Sequence, residues 1–131
     1  AAPAYLERHG TPASPADLAG HNCLAYFAAT TGAPRAWHFM RDGEAVKVRP
    51  EGCFITDQAA LLVPLAEQGC GIVQAPRYLV RDALDGGRLR PLLAEYATVG
   101  PPLSIVYPQA RHPALRVRLF VDFLLALGDR L

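Results

Sequence analysis

Two stretches of this chain carry opposite hydrophobic periods, and they anchor the reading of the rest. Trp37-His38-Phe39-Met40-Arg41 and Glu44-Ala45-Val46-Lys47-Val48-Arg49 flank Asp42-Gly43. Period-two alternation around Asp-Gly predicts a β-hairpin with a type I′ turn, because that turn needs positive φ at both central residues. A two-residue loop pairs Arg41 with Glu44, Phe39 with Val46 and Trp37 with Val48. The aromatic rings and both valines then share one face, with His38 and Lys47 on the other. At the far end, Leu115, Leu119, Phe123 and Leu127 fall at i, i+4, i+8 and i+12, flanked by Phe120 and Leu124. Arg116, Arg118 and Asp122 lie off that stripe, which predicts an amphipathic helix from about Pro113 to Leu127.

Proline and glycine punctuate the remainder. Pro3 to His9, closed by Gly10, reads as a short helix with proline in its first position. Ser14, Pro15, Asp17 and Gly20 then supply cap, first residue, N3 acid and stop for a single helical turn. His21 to Phe27 is expected as a buried strand, 28–34 as a loop, and Gly52 to Ile55 as a short strand. Thr56 or Asp57 would cap a helix running to about Gln68, ended by Gly69-Cys70-Gly71. Pro64 conflicts with that helix, since it removes a backbone bond and crowds the carbonyl of Ala60, so a kink or a shorter helix is expected. Ile72 to Gln74 reads as an inner strand. Pro76 starts a helix that stops at Gly86-Gly87, and Arg88 to Leu93 and Leu103 to Tyr107 read as further strands. Strands alternating with helices, apart from one hairpin, predict an α/β fold: a mixed sheet flanked by helices.

Composition narrows the function classes. At 131 residues, with 51% hydrophobic and 19% charged residues, the chain can bury one domain core. A net charge of +1 gives no bulk attraction to nucleic acid or anionic lipid. Cys23, Cys53 and Cys70 are odd in number and widely spaced, which suits free thiols in a reducing cytoplasm better than a disulfide framework. No apolar run approaches the roughly 18 residues of a membrane span, and the first residues lack the features of a signal peptide. Because Pro3 opens a helix with no strand before it, the sequence reads as part of something longer.

The search for catalytic chemistry finds none. His9, His21, His38 and His112 have no metal-ligand spacing, and Gly69-Cys70-Gly71 lacks the lysine and serine of a phosphate loop. Glu67, Asp82 and Glu95 fall on expected outer faces. No catalytic residue, metal ligand or cofactor site is assigned, and a hydrolase or transferase has no positive support. Binding has more. In Phe54-Ile55-Thr56-Asp57-Gln58 a strand end passes straight into a helix start, whose free N–H groups suit a carboxylate or other anion. Thr56 or Asp57 acting only as a helix cap is the competing account, and the Asp57 carboxylate could itself occupy the dipole. Tyr26-Phe27 could wall the same cleft with aromatic surface, or serve as core. Gln74, before Pro76, is a third candidate.

The ordered series of segments resembles the LysR-type transcriptional regulators. Ala2-Pro3-Ala4-Tyr5-Leu6, His9-Gly10-Thr11-Pro12 and Pro15-Ala16-Asp17-Leu18-Ala19-Gly20-His21 are similar to that family's crossover between lobes. The Trp-x-Phe hairpin, Thr56-Asp57-Gln58-Ala59-Ala60, and Gly69-Cys70-Gly71-Ile72-Val73-Gln74-Ala75-Pro76 follow in the family's order. So do Gly87-Arg88-Leu89, Val106-Tyr107-Pro108 and Val117 to Leu124. The resemblance implies a lobe like those of type 2 periplasmic binding proteins, in a two-lobed, homo-oligomeric sensor that holds a small-molecule effector between its lobes. It places residues 1–17 at the end of the first lobe and the crossover, 18–101 in the second lobe, and 102–131 in the return to the first. It implies effector contacts at Tyr26, Phe27, Ile55, Thr56, Asp57 and Gln58, and a carboxylate or aromatic metabolite as ligand. DNA binding falls to an N-terminal winged helix-turn-helix absent from this sequence. The alternative of the same architecture is a solute-binding protein of the periplasmic type.

Overall fold

The computed structural model describes residues 1–28, 32–100, 104–106 and 115–128. They divide into two compact units, Ala1–Val99 and Gly100–Leu131.

The first unit is built on a small mixed sheet of β1 (Ala25–Ala28), β2 (Ala33–Pro34) and β5 (Ile55–Thr56), in the order β2-β1-β5. β1 runs antiparallel to β2 and parallel to β5. A parallel bridge between Cys23 and Ile72 extends the pairing toward the amino end of β1. The expected strand over 21–27 is therefore shorter and irregular. The amide of Cys23 donates to the carbonyl of Glu51 and that of Ala25 to Phe54, so three steps of one segment face two of the other. Ladder pairing cannot stay regular across that mismatch.

The sheet separates two cores, as period-two alternation along its strands requires. One side holds Tyr5 and Leu6 of α1 (Pro3–His9), Leu18, Cys23 and Ile72, closed by Trp37 and Phe39. The other holds Leu24 with Leu62 and Ala66 of α2 (Ala59–Glu67) and Ala83 of α3 (Arg77–Asp85), with Tyr26, Phe54 and Val73 packed against them. Each fully buried large apolar side chain contributes about 1.5–3 kcal/mol.

The hairpin of β3 (Trp37–Arg41) and β4 (Glu44–Val48) has the expected register, Trp37 facing Val48, Phe39 facing Val46 and Arg41 facing Glu44. Asp42 and Gly43 both have positive φ, the requirement of a type I′ turn. α1 ends at Gly10 with φ +81. The Ser14–Asp17 turn forms as a longer 3-10 helix, Pro15–Gly20.

Expectations for α2 and for two strands of the first unit also need correction. α2 begins at Ala59, with Gln58 rather than Thr56 or Asp57 at its N-cap, and it continues past Pro64 to Glu67. Pro64 and Ala60 are both exposed, so the carbonyl left without a partner can be solvated. Residues 72–74 form a single bridge rather than a full strand. No strand forms over 88–93. There the amide of Leu89 folds back onto the carbonyl of Ala83, and Leu93, at φ +54, starts a 3-10 turn, Ala94–Tyr96.

In the second unit the amphipathic helix forms as α4 (Leu115–Gly128). Residues 104–106 carry no strand. Residues 103 and 107 and the expected helix start at Pro113 lie outside the described residues.

Candidate functional site

The site follows from strand direction. β1, β5 and the bridged segment at Ile72 all run the same way, so Tyr26, Thr56 and Gln74 lie toward one end of the sheet. Ligands of open α/β sheets collect beyond that carboxyl end. α2 follows β5 there, and α3 follows the segment through Gln74.

Tyr26 pairs in register with Thr56, and Ala25 with Ile55. Residues paired in register share a face. Tyr26 and Thr56 therefore stand side by side on the α2–α3 face, whereas Phe27 and Ile55 belong to the opposite face. Tyr26, Phe27 and Thr56 are half-buried, and Ile55 is 48% exposed. Asp57 and Gln58, past the strand end, are exposed. The six candidates thus occupy one corner of the fold, but Phe27 and Ile55 do not share the face of Tyr26 and Thr56.

The start of α2 is held by a local side-chain bond. The amide of Gln58 donates to Thr56 Oγ1 at 3.0 Å, and that of Leu61 to the Gln58 carbonyl at 3.0 Å. Thr56 is thus the residue that stabilises the turn into the helix. Asp57 caps nothing: among the described residues its carboxylate makes no hydrogen bond. The amides of Ala59 and Ala60 likewise find no acceptor among the described residues. Two open donors at the positive end of a helix, next to a threonine hydroxyl with a proton to donate, are suited to an anionic oxygen.

Gln74 is engaged elsewhere. Its Oε1 accepts from the His38 amide at 3.1 Å, and its Nε2 donates to the His38 carbonyl at 2.9 Å. The carboxamide caps the outer edge of β3 as a neighbouring strand would.

Asn22 is a residue that sequence reasoning passed over. Its Oδ1 accepts from the Cys53 amide at 2.8 Å, its Nδ2 donates to the Cys70 carbonyl at 2.6 Å, and its own amide donates to the Tyr5 hydroxyl at 2.9 Å. The available signal was an amide side chain inside an apolar strand, with glycines at 52 and 71 leaving room beside it. A Cβ on Gly52 would lie 2.3 Å from the Cys23 carbonyl oxygen, and one on Gly71 2.3 Å from that of Asn22.

Away from this corner, Ser14, Pro15, Ala16, Arg41, Val46 and Tyr96 line a depression of about 120 Å³. Ligand pockets usually measure about 300–1,000 Å³, so it is too small for a metabolite. Burial pushes the Cys23 thiol up from its ordinary value. Backbone amides of Ser14 and Ala13, each 2.9 Å from Asp17 Oδ2, hold the Asp17 carboxyl below its ordinary value. Among the described residues no cluster of ligating side chains could hold a metal ion, and no helix is long and apolar enough to cross a membrane.

Comparison with known proteins places these features in a lineage. The family described as the LysR substrate binding domain matches residues 1–129. The regulator CrgA of Neisseria meningitidis serogroup B is 37% identical over 134 residues, covering 100% of this chain and 44% of that protein. The probable regulator LtrA of Klebsiella pneumoniae is 30% identical, covering 92% of this chain and 40% of that protein. The chain therefore spans less than half the length of these relatives. Among solved structures, CrgA superposes with a TM-score of 0.83 at 35% identity, over 98% of this chain and 43% of that one. The CrgA regulatory domain gives 0.80 at 34% identity, over 96% and 61%. AphB of Vibrio cholerae, at 24% identity and a TM-score of 0.75 over 98% and 43%, shares the fold.

Proposed function

The chain belongs to the LysR substrate-binding domain family, and from that premise we propose that its first unit contributes one wall of an effector site in a DNA-binding transcriptional regulator. Residues 18–101 form the second effector lobe, 1–17 complete the crossover, and 102–131 return to the first lobe. The effector is a small molecule with a carboxylate, aliphatic or aromatic, held between the lobes. DNA contact falls to a winged helix-turn-helix domain outside residues 1–131. The regulator acts as a cytoplasmic homo-oligomer and catalyses no reaction. The relatives CrgA, LtrA and PgrR are named as transcriptional regulators, which favours a regulator over a solute-binding protein.

One observation supports the effector site above all. The start of α2 offers the unpaired amides of Ala59 and Ala60 at the carboxyl end of the sheet, with Tyr26 in register beside Thr56. A carboxylate oxygen there would accept from both amides and from the Thr56 hydroxyl, and the half-buried Tyr26 would give its carbon frame a flat surface. Charge-assisted bonds of this kind are worth about 1.5–3 kcal/mol each.

The test uses the full-length regulator. A panel of aliphatic and aromatic carboxylates is screened by thermal shift, and the best is titrated against reporter output for the parent and Thr56→Val. Loss of one such bond should raise the half-maximal concentration by about tenfold or more, with the melting temperature of the unliganded protein changed by a few degrees at most. An unchanged dose-response would remove Thr56 from the site. Residues 1–131 alone should give no salt-sensitive retardation of operator DNA; such retardation would contradict the division of labour between domains.

A further inference from the structure

We draw no further inference here: the strongest candidate, the apolar surface that α4 exposes at Leu115, Leu119, Phe120 and Phe123, carries nothing because nothing in the structure shows what covers it.

Discussion

Gly71→Ala should be one of the most damaging single-methyl changes available in this fold. The φ of Gly71 is not positive, so an alanine backbone is allowed and only space refuses it. The added Cβ would sit 2.3 Å from the Asn22 carbonyl oxygen, 3.1 Å from Leu24 Cγ and 3.2 Å from Asn22 Nδ2. Carbon–oxygen contacts settle at about 3.3 Å or more, so the two segments must part by about 1 Å. That carbonyl accepts the Ile72 amide at 2.9 Å, and the Ile72 carbonyl accepts the Leu24 amide at 2.8 Å. Both bonds would be lost or badly stretched, at about 1 kcal/mol each. Overpacking adds about 1–3 kcal/mol, and the stiffer unfolded chain opposes the loss by about 0.4–1 kcal/mol. The net expectation is destabilisation by about 3 kcal/mol. Trp37 is the single tryptophan and is buried, so its fluorescence reports urea unfolding of the first unit. With a slope near 2 kcal/mol per molar urea, the midpoint should fall by about 1.5 M. Gly20→Ala is the control, since a Cβ there meets nothing within 4 Å, and it should stay within about 0.5 kcal/mol of the parent. If Gly71→Ala proves as stable as Gly20→Ala, the close approach of the two segments is wrong.

Other expectations can be checked on the same protein. Iodoacetamide labelling of the native chain should modify the exposed Cys53 and Cys70 and spare Cys23, whose thiol is buried and shifted up; fast labelling of Cys23 would mean that its core is open. The Asp17 carboxyl has its folded-state value depressed by two backbone amides. Its contribution should therefore be complete above the ordinary aspartate range and vanish as pH falls through the depressed value. Asp17→Asn should accordingly lower stability near neutrality and lose that effect in acid, and a pH-independent difference would refute the assignment. Gln74→Ala removes both contacts to the His38 backbone. It should cost about 1 kcal/mol and speed hydrogen exchange at the His38 amide while the amides bonded across the hairpin keep their protection. Unaltered His38 exchange would count against the edge cap.

Much of this fold was legible wherever a local requirement had a single chemical answer. Asp42-Gly43 supplies the two positive φ values that alternation across the hairpin demands, and the whole register follows from it. Gly69 and Gly71 were recognised together as a chain break, but they answer different needs. Gly69, at φ +74, ends α2 in a Schellman motif: its amide reaches the Ala66 carbonyl and that of Cys70 reaches Leu65. Gly71 is small because Asn22 lies against it. The second reason is a tertiary contact and cannot be seen from neighbouring residues. The strand expected over Arg88 to Leu93 failed for the same kind of reason. Its alternating charges imitate a strand, yet Leu89 is buried at the end of α3 and Pro91 has no amide to give a ladder. At the candidate site the passage from strand to helix near Thr56 was legible, but the distribution of Tyr26, Phe27, Ile55, Thr56, Asp57 and Gln58 over two faces depended on a strand register that composition does not reveal. The cap of α2 falls one or two residues later than expected because the Thr56 hydroxyl holds a local turn before the helix begins.

The three parallel segments divide their duties by end. At the amino end, Asn22 ties Cys53 and Cys70 together through its carboxamide, and Gly52 and Gly71 let the backbones meet. At the other end, Thr56 and the open first turn of α2 have few internal partners. Four residues of extended chain, about 13 Å, separate Asn22 from Tyr26. Substitutions that far apart and without shared partners combine additively within about 0.3–0.5 kcal/mol. Gly71→Ala should therefore lower unfolding free energy and leave the intrinsic effector response of the surviving folded protein unchanged, whereas Thr56→Val should weaken the response and lower stability only by about 1 kcal/mol, for the lost bond to the Gln58 amide. The double variant should show both losses at their single-variant sizes. A large departure from additivity would mean that closure at the amino end transmits to the α2 start, and the separation of stability from sensing along these strands would have to be abandoned.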